Sequence, residues 1–202
     1  MAAVEHPPVE VDAPDVEGAS GIRWKFTADE FERLYAAGFL QQDGRVELLD
    51  GEILIMSPIG NPHVSVTIRL IRLFSSTLSD RGLITASTPV RLDDLSEPQP
   101  DVTLLRFRDD FYENAHARPA DIFVAIEVME TSAAYDRGRK LKKYASSGVP
   151  EVWLVDLKQK RVEMYRRPIG DLYSEISVRT RGETVTVEAF PDVMLAVNDI
   201  LG

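Results

Sequence analysis

DIFVAIEVMETSAAYDRGRKLKKYASSGVPEVWLVD, residues 121–156, joins two apolar runs through a basic segment. Ile122 to Met129 is apolar apart from Glu127, and EVWLVD at 151–156 closes the stretch. Runs of this length read as buried strands, and the segment between them reads as a helix from about Asp136 to Ser147. Strand, helix and strand in that order predict a crossover unit in a buried sheet. Glu127 is the anomaly. A buried ionised carboxylate is strongly disfavoured unless it is paired or binds a metal.

Working toward the N-terminus, DVTLLRF reads as another strand opened by Asp101, with two short strands near LITAS and TPVRL before it. Asn61 and Pro62 suit the start of a helix running to about Ser79, with Val66, Leu70, Leu73, Phe74 and Leu78 as its apolar stripe. RVELLDGEILIMS places an Asp50-Gly51 turn between two apolar strands, a strong hairpin signal. Thr27 with Glu30 makes a capping box for a short helix that Gly38 ends. Toward the C-terminus KRVEMYRR, LYSEISVR and TVTVEAF read as antiparallel strands. The predicted fold class is therefore α/β, a mixed α+β sheet with flanking helices and an N-terminal helix plus hairpin.

The chain of 202 residues suffices for one sizeable core, and we expect a single domain over 22–202. Residues 1–21 carry Glu5, Glu10, Asp12, Asp15 and Glu17 with no Lys or Arg, and read as a disordered acidic tail. That tail holds half of the net charge of −10, so the acidity weighs against a nucleic-acid partner without excluding one. Absence of cysteine excludes disulfides and thiolate chemistry. No secretory signal and no membrane span are recognisable, and a cytoplasmic location is expected. His6, His63 and His116 show no ligand spacing, which argues against a zinc site, and His63 reads as a structural residue at a helix start.

Glu47, Asp101 and Glu127 are acids at strand edges or inside strands, and Lys140 stands one helical turn from Tyr144 at the border of an inward face. Carboxylates that converge would bind Mg²⁺, which prefers oxygen ligands. A neighbouring ammonium could then orient or activate the attacking water. Each residue also has a plainer role. Glu47 could face water, Asp101 cap a strand end, Glu127 sit in a lone buried salt bridge, and Lys140 belong to a solvated basic face.

VELLDGEILIMSP, EPQPDVTLL and IEVMETSAAYDRGRKLKKYASSGVPEVWLVD, taken in that order, resemble the Uma-type restriction-endonuclease-like family of the PD-(D/E)XK nuclease superfamily. The resemblance runs from about residue 27 to the C-terminus. It implies the restriction-endonuclease-like core and Mg²⁺-dependent phosphodiester cleavage, with Mn²⁺ able to substitute, on nucleic acid, DNA in the first instance. Asp101 after Pro100 and Glu127 match the family's metal ligands, and Glu47 matches an additional glutamate on the hairpin. The usual lysine two residues after the second acid is Met129 here, and Lys140 fills the family's alternative position on the following helix. The cations Arg137, Arg139 and Lys143 are candidates for phosphate contact. A homodimer is expected from the superfamily alone, since cutting two strands at a two-fold site is served by two active centres. The competing expectations are a nuclease-like scaffold that binds nucleic acid or protein without cleaving, and a carboxylate-pair glycosidase that needs no metal.

Overall fold

The computed structural model describes residues 24–40, 45–130 and 133–202. The acidic tail expected over residues 1–21 lies outside them. The crossover unit forms as read. Strand β5 (Ile122–Met129) and strand β6 (Glu151–Asp156) pair in parallel, with Glu127 opposite Leu154. They sit at the centre of a six-stranded sheet ordered β3-β4-β5-β6-β7-β8, whose other pairings are antiparallel. Its remaining strands are β3 (Leu83–Ala86), β4 (Val102–Leu105), β7 (Arg161–Ile169) and β8 (Leu172–Thr180).

The two faces of β5 explain its nearly continuous apolar sequence. Val124, Ile126 and Val128 face one cluster, which helix α2 (Asn61–Leu78) covers with Val66, Leu70, Phe74 and Leu78. Ala125 and Met129 face the opposite cluster with Tyr144 and Ala145. Because side chains alternate along a strand, Glu127 shares that second face. Phe74 meets Trp153 at 5.9 Å between ring centroids, inside the first cluster. Burying side chains of this size stabilises by about 1.5–3 kcal/mol each, which sets the sheet's register firmly.

The helix over the second face is irregular. It is α-helical at α3 (Ala133–Tyr135), π-helical over Asp136–Lys140, and α-helical again at α4 (Leu141–Ser146). The N–H of Leu141 reaches the carbonyl of Asp136, the i→i+5 bond of a π turn.

Helix α1 (Ala28–Ala36) starts with the expected capping box of Thr27 and Glu30. Strands β1 (Val46–Leu49) and β2 (Glu52–Ile55) form the expected hairpin. Asp50 and Gly51 both have positive φ, 51° and 81°, as a two-residue primed turn requires. A Cβ at Gly51 would also stand 2.6 Å from that of Lys25. Residue Glu97 runs beside β1, its N–H donating to Leu48 at 2.8 Å.

One expectation is corrected: TPVRL forms no strand and contributes only an isolated bridge from Val90 to Ala117. The three C-terminal segments are antiparallel strands as read, KRVEMYRR and LYSEISVR supplying β7 and β8 and TVTVEAF supplying β9 (Thr184–Val187). Ahead of helix α5 (Val197–Leu201), β9 and β10 (Phe190–Ala196) pair by themselves. Their apolar residues, Val185, Val187, Val193 and Leu195, complete the first cluster instead of extending the sheet.

Candidate metal centre

Where β4 begins, the sheet leaves a backbone donor unused. Val102 lies opposite Ile126, so the N–H of Val128 extends beyond the β4 ladder. Asp101 takes it, accepting from Val128 at 2.8 Å through Oδ2. The same oxygen lies 2.9 Å from His63 Nε2, and Oδ1 accepts from Arg45 Nη1 at 3.1 Å. Burial alone would raise the Asp101 carboxyl, but His63, the Val128 N–H and Lys140 hold it below the usual carboxylate range.

Glu127 is paired with Lys140. The Nζ atom lies 2.9 Å from Glu127 Oε1 and 3.1 Å from Glu47 Oε1, and the hydroxyl of Tyr144 donates to Glu127 Oε1 at 2.6 Å. Lys140 and Tyr144 are one α-turn apart, so one helix face supplies both partners. Glu47 also accepts from the Gln99 N–H at 3.2 Å. Its second oxygen, Oε2, is shut off from solvent and has no hydrogen-bond partner.

Lys140 is 2 % exposed and Glu47 is fully buried. Burial disfavours the ammonium, yet Glu127, Glu47 and Asp136 outweigh it and hold Lys140 well above the ordinary lysine range. Burial pushes Glu127 well above the carboxylate range, with Asp101, Asp136 and Glu47 adding to it and Lys140 opposing. Negative neighbours push both groups up, but burial is the larger cause at Glu127 and works against the ammonium at Lys140.

The cluster opens to solvent through a cleft of about 240 Å³, lined by Arg45, His63, Asp101, Glu127, Asp136 and Lys140 on its polar side and by Ile55, Met56 and Ile59 on the other. Glu47 stands behind Lys140 and does not line it. Nor do Glu47, Asp101 and Glu127 already present three ligand atoms within 4.8 Å of one another. Lys140 stands between Glu47 and Glu127, while His63 and Arg45 hold Asp101 from the other side.

Among the expected phosphate contacts, Arg137 binds Asp156 and Glu163, Arg139 binds Asp50 and Glu52, and Lys143 binds Asp50 and Asp93. These pairs fasten the helix to the sheet and the hairpin, and none of the three cations lines the cleft. Sequence reasoning passed over Arg45, treated His63 as a helix-start residue, and took Tyr144 as purely apolar. A polar signal existed only for His63.

The model of the Uma2 family, "Putative restriction endonuclease", matches residues 28–198. A crystal structure of a "putative nuclease belonging to DUF820" from Anabaena variabilis ATCC 29413 superposes with a TM-score of 0.68 at 17% identity, covering 87% of this chain and 97% of that one. At that identity the likeness speaks for the fold. No curated protein matches the chain.

Proposed function

This chain belongs to the Uma2 family, and from that premise we propose that it is a divalent-metal-dependent endonuclease hydrolysing DNA phosphodiesters. The observation that carries the reading is the set of Glu47, Asp101 and Glu127, drawn from the hairpin, the start of β4 and the middle of β5 to one buried cluster around Lys140. The residues fit a hard cation. They are carboxylates, two of them share the single ammonium of Lys140, and one oxygen, Glu47 Oε2, is buried without a partner. Asp101 and Glu127 would hold Mg²⁺ or Mn²⁺, with Glu47 supporting them from behind.

When bound, such an ion supplies Lewis-acid stabilisation of the charge that develops on the phosphodiester. Lys140 acts as a cation, its proton held on Nζ in the metal-free cluster by Glu127, Glu47 and Asp136 against the effect of burial. From there it orients a water or a phosphate oxygen at the cleft floor. Arg45 Nη1, partly exposed at the cleft wall, supplies a second contact to the phosphate. His63 positions Asp101 through their 2.9 Å contact. We assign phosphate contact to Arg45 and Lys140, which line the cleft, ahead of Arg137, Arg139 and Lys143, which do not.

One feature favours the rival reading, a nuclease-like scaffold that binds without cleaving. The ammonium of Lys140 already pairs with both Glu47 and Glu127. A plasmid-nicking assay with Mg²⁺ or Mn²⁺ separates the two. The nuclease reading expects metal-dependent nicking that falls to background in Asp101→Asn and in Glu127→Gln. Nicking that persists in both variants, or DNA binding with no nicking by the unaltered chain, would overturn it.

A further inference from the structure

A second group of ligand-type side chains lies away from the cleft. Glu32 comes from α1, Glu97 from the segment beside β1, and His116 from the stretch between β4 and β5. One ligand atom from each falls within 4.8 Å of the others. His116 Nε2 stands 3.7 Å from Glu32 Oε1 and 3.8 Å from Glu97 Oε1. None of the three lines the Asp101–Glu127 cleft, whereas all three border a separate one of about 310 Å³.

Two features point beyond a chance meeting of surface acids. Glu97 is 2 % exposed, and its Oε2 is shut off from solvent with no hydrogen-bond partner. A buried carboxylate oxygen without a donor is costly, and native folds avoid it unless something else occupies the place. Arg91 is also shared with acids other than Glu97. Arg91 Nη1 lies 2.5 Å from Asp29 and only 3.7 Å from Glu32.

We propose that Glu32, Glu97 and His116 bind a divalent transition-metal ion of the Zn²⁺ type at a site separate from the nuclease cleft. Ligand atoms around a tetrahedral Zn²⁺ stand about 3.4 Å apart at normal bond lengths, so the two separations from His116 Nε2 need close by only a few tenths of an ångström. Imidazole selects such ions over Mg²⁺. The partly exposed His116 and Glu32 leave room for a water as the remaining ligand. The ion would clamp α1 and the 106–118 stretch onto the Glu97 segment, which pairs with Leu48 beside Glu47. It braces the fold and takes no part in cleavage.

The test is calorimetric titration of Zn²⁺ into chelator-stripped full-length protein carrying Asp101→Asn and Glu127→Gln, which disable the cleft, with a parallel melting curve. One Zn²⁺ per chain and a raised Tm are expected. Adding His116→Asn should weaken binding by about 10-fold or more, the scale on which even a ligand's supporting partner acts, and should remove the Tm shift. Half-exposed His116 is chosen so that the fold survives, and Glu97→Gln is the second variant. Absence of Zn²⁺ binding, or binding unchanged by His116→Asn, overturns the proposal. Its outcome is independent of DNA nicking.

Discussion

Lys140 carries its charge in a place where only its partners make one tolerable. With Nζ between Glu47 and Glu127 and almost no exposure, removing the ammonium strands two buried carboxylates. Breaking a buried pair from one side costs about 3–5 kcal/mol. Lys140→Met should therefore lower unfolding stability by about that amount, and adding Glu127→Gln should restore part of it by removing one stranded charge. Urea unfolding at neutral pH checks both, and a Lys140→Met variant as stable as the parent would contradict the pairing. At this scale the sequence was partly legible. Glu127 announced itself by breaking an apolar strand, and Lys140 stood on the border of the right helix face. The partners of Asp101 were not legible, because His63 and Arg45 lie 38 and 56 residues away along the chain. No local pattern records a contact that only the packed sheet creates.

The elements were legible wherever periodicity and turn chemistry agreed. The Asp50-Gly51 hairpin, the capping box at Thr27, the helix after Asn61 and the β5–β6 crossover all form where the sequence placed them. The π turn at Asp136–Lys140 was not, because four charged residues and a glycine carry no apolar stripe from which to count a period. Arg137 holds this turn to the sheet through Asp156 at the end of β6 and Glu163 in β7. Burial alone would raise both carboxyls. Hydrogen bonds from Arg137, joined by the Gln159 N–H at Asp156 and by Tyr165 and Arg161 at Glu163, outweigh it and hold both below their usual values of 3.8 and 4.5. Groups whose folded pKa is depressed stabilise above their unfolded values, and that stability drains away as pH falls through the folded ones. Arg137→Met should cost about 2–3 kcal/mol at pH 7. The difference from the parent should shrink progressively below about pH 4. Unfolding midpoints measured from pH 7 to about pH 3 check this, and a penalty constant across the range would contradict it.

For the whole molecule, the fold class and the family followed from the order of a few segments, since an apolar strand, a basic helix and a second apolar strand leave few topologies open. The departure at the C-terminus, where β9 and β10 leave the main sheet, shows the limit. Strand pattern gives alternation but not which edge a strand joins. Among the described residues no helix is long and apolar enough to cross a membrane. The acidic chain gathers its buried positive charge at Lys140 and faces it with more carboxylate than it can neutralise. A bound divalent cation would complete that balance. Crystals of the unaltered protein soaked in Mn²⁺ and measured for anomalous scattering test it most directly. A peak is expected in the cleft within bonding distance of Asp101 and Glu127, with the Lys140 ammonium displaced from between Glu47 and Glu127. A cleft without a peak, with Lys140 still bridging the two glutamates at saturating Mn²⁺, would contradict it.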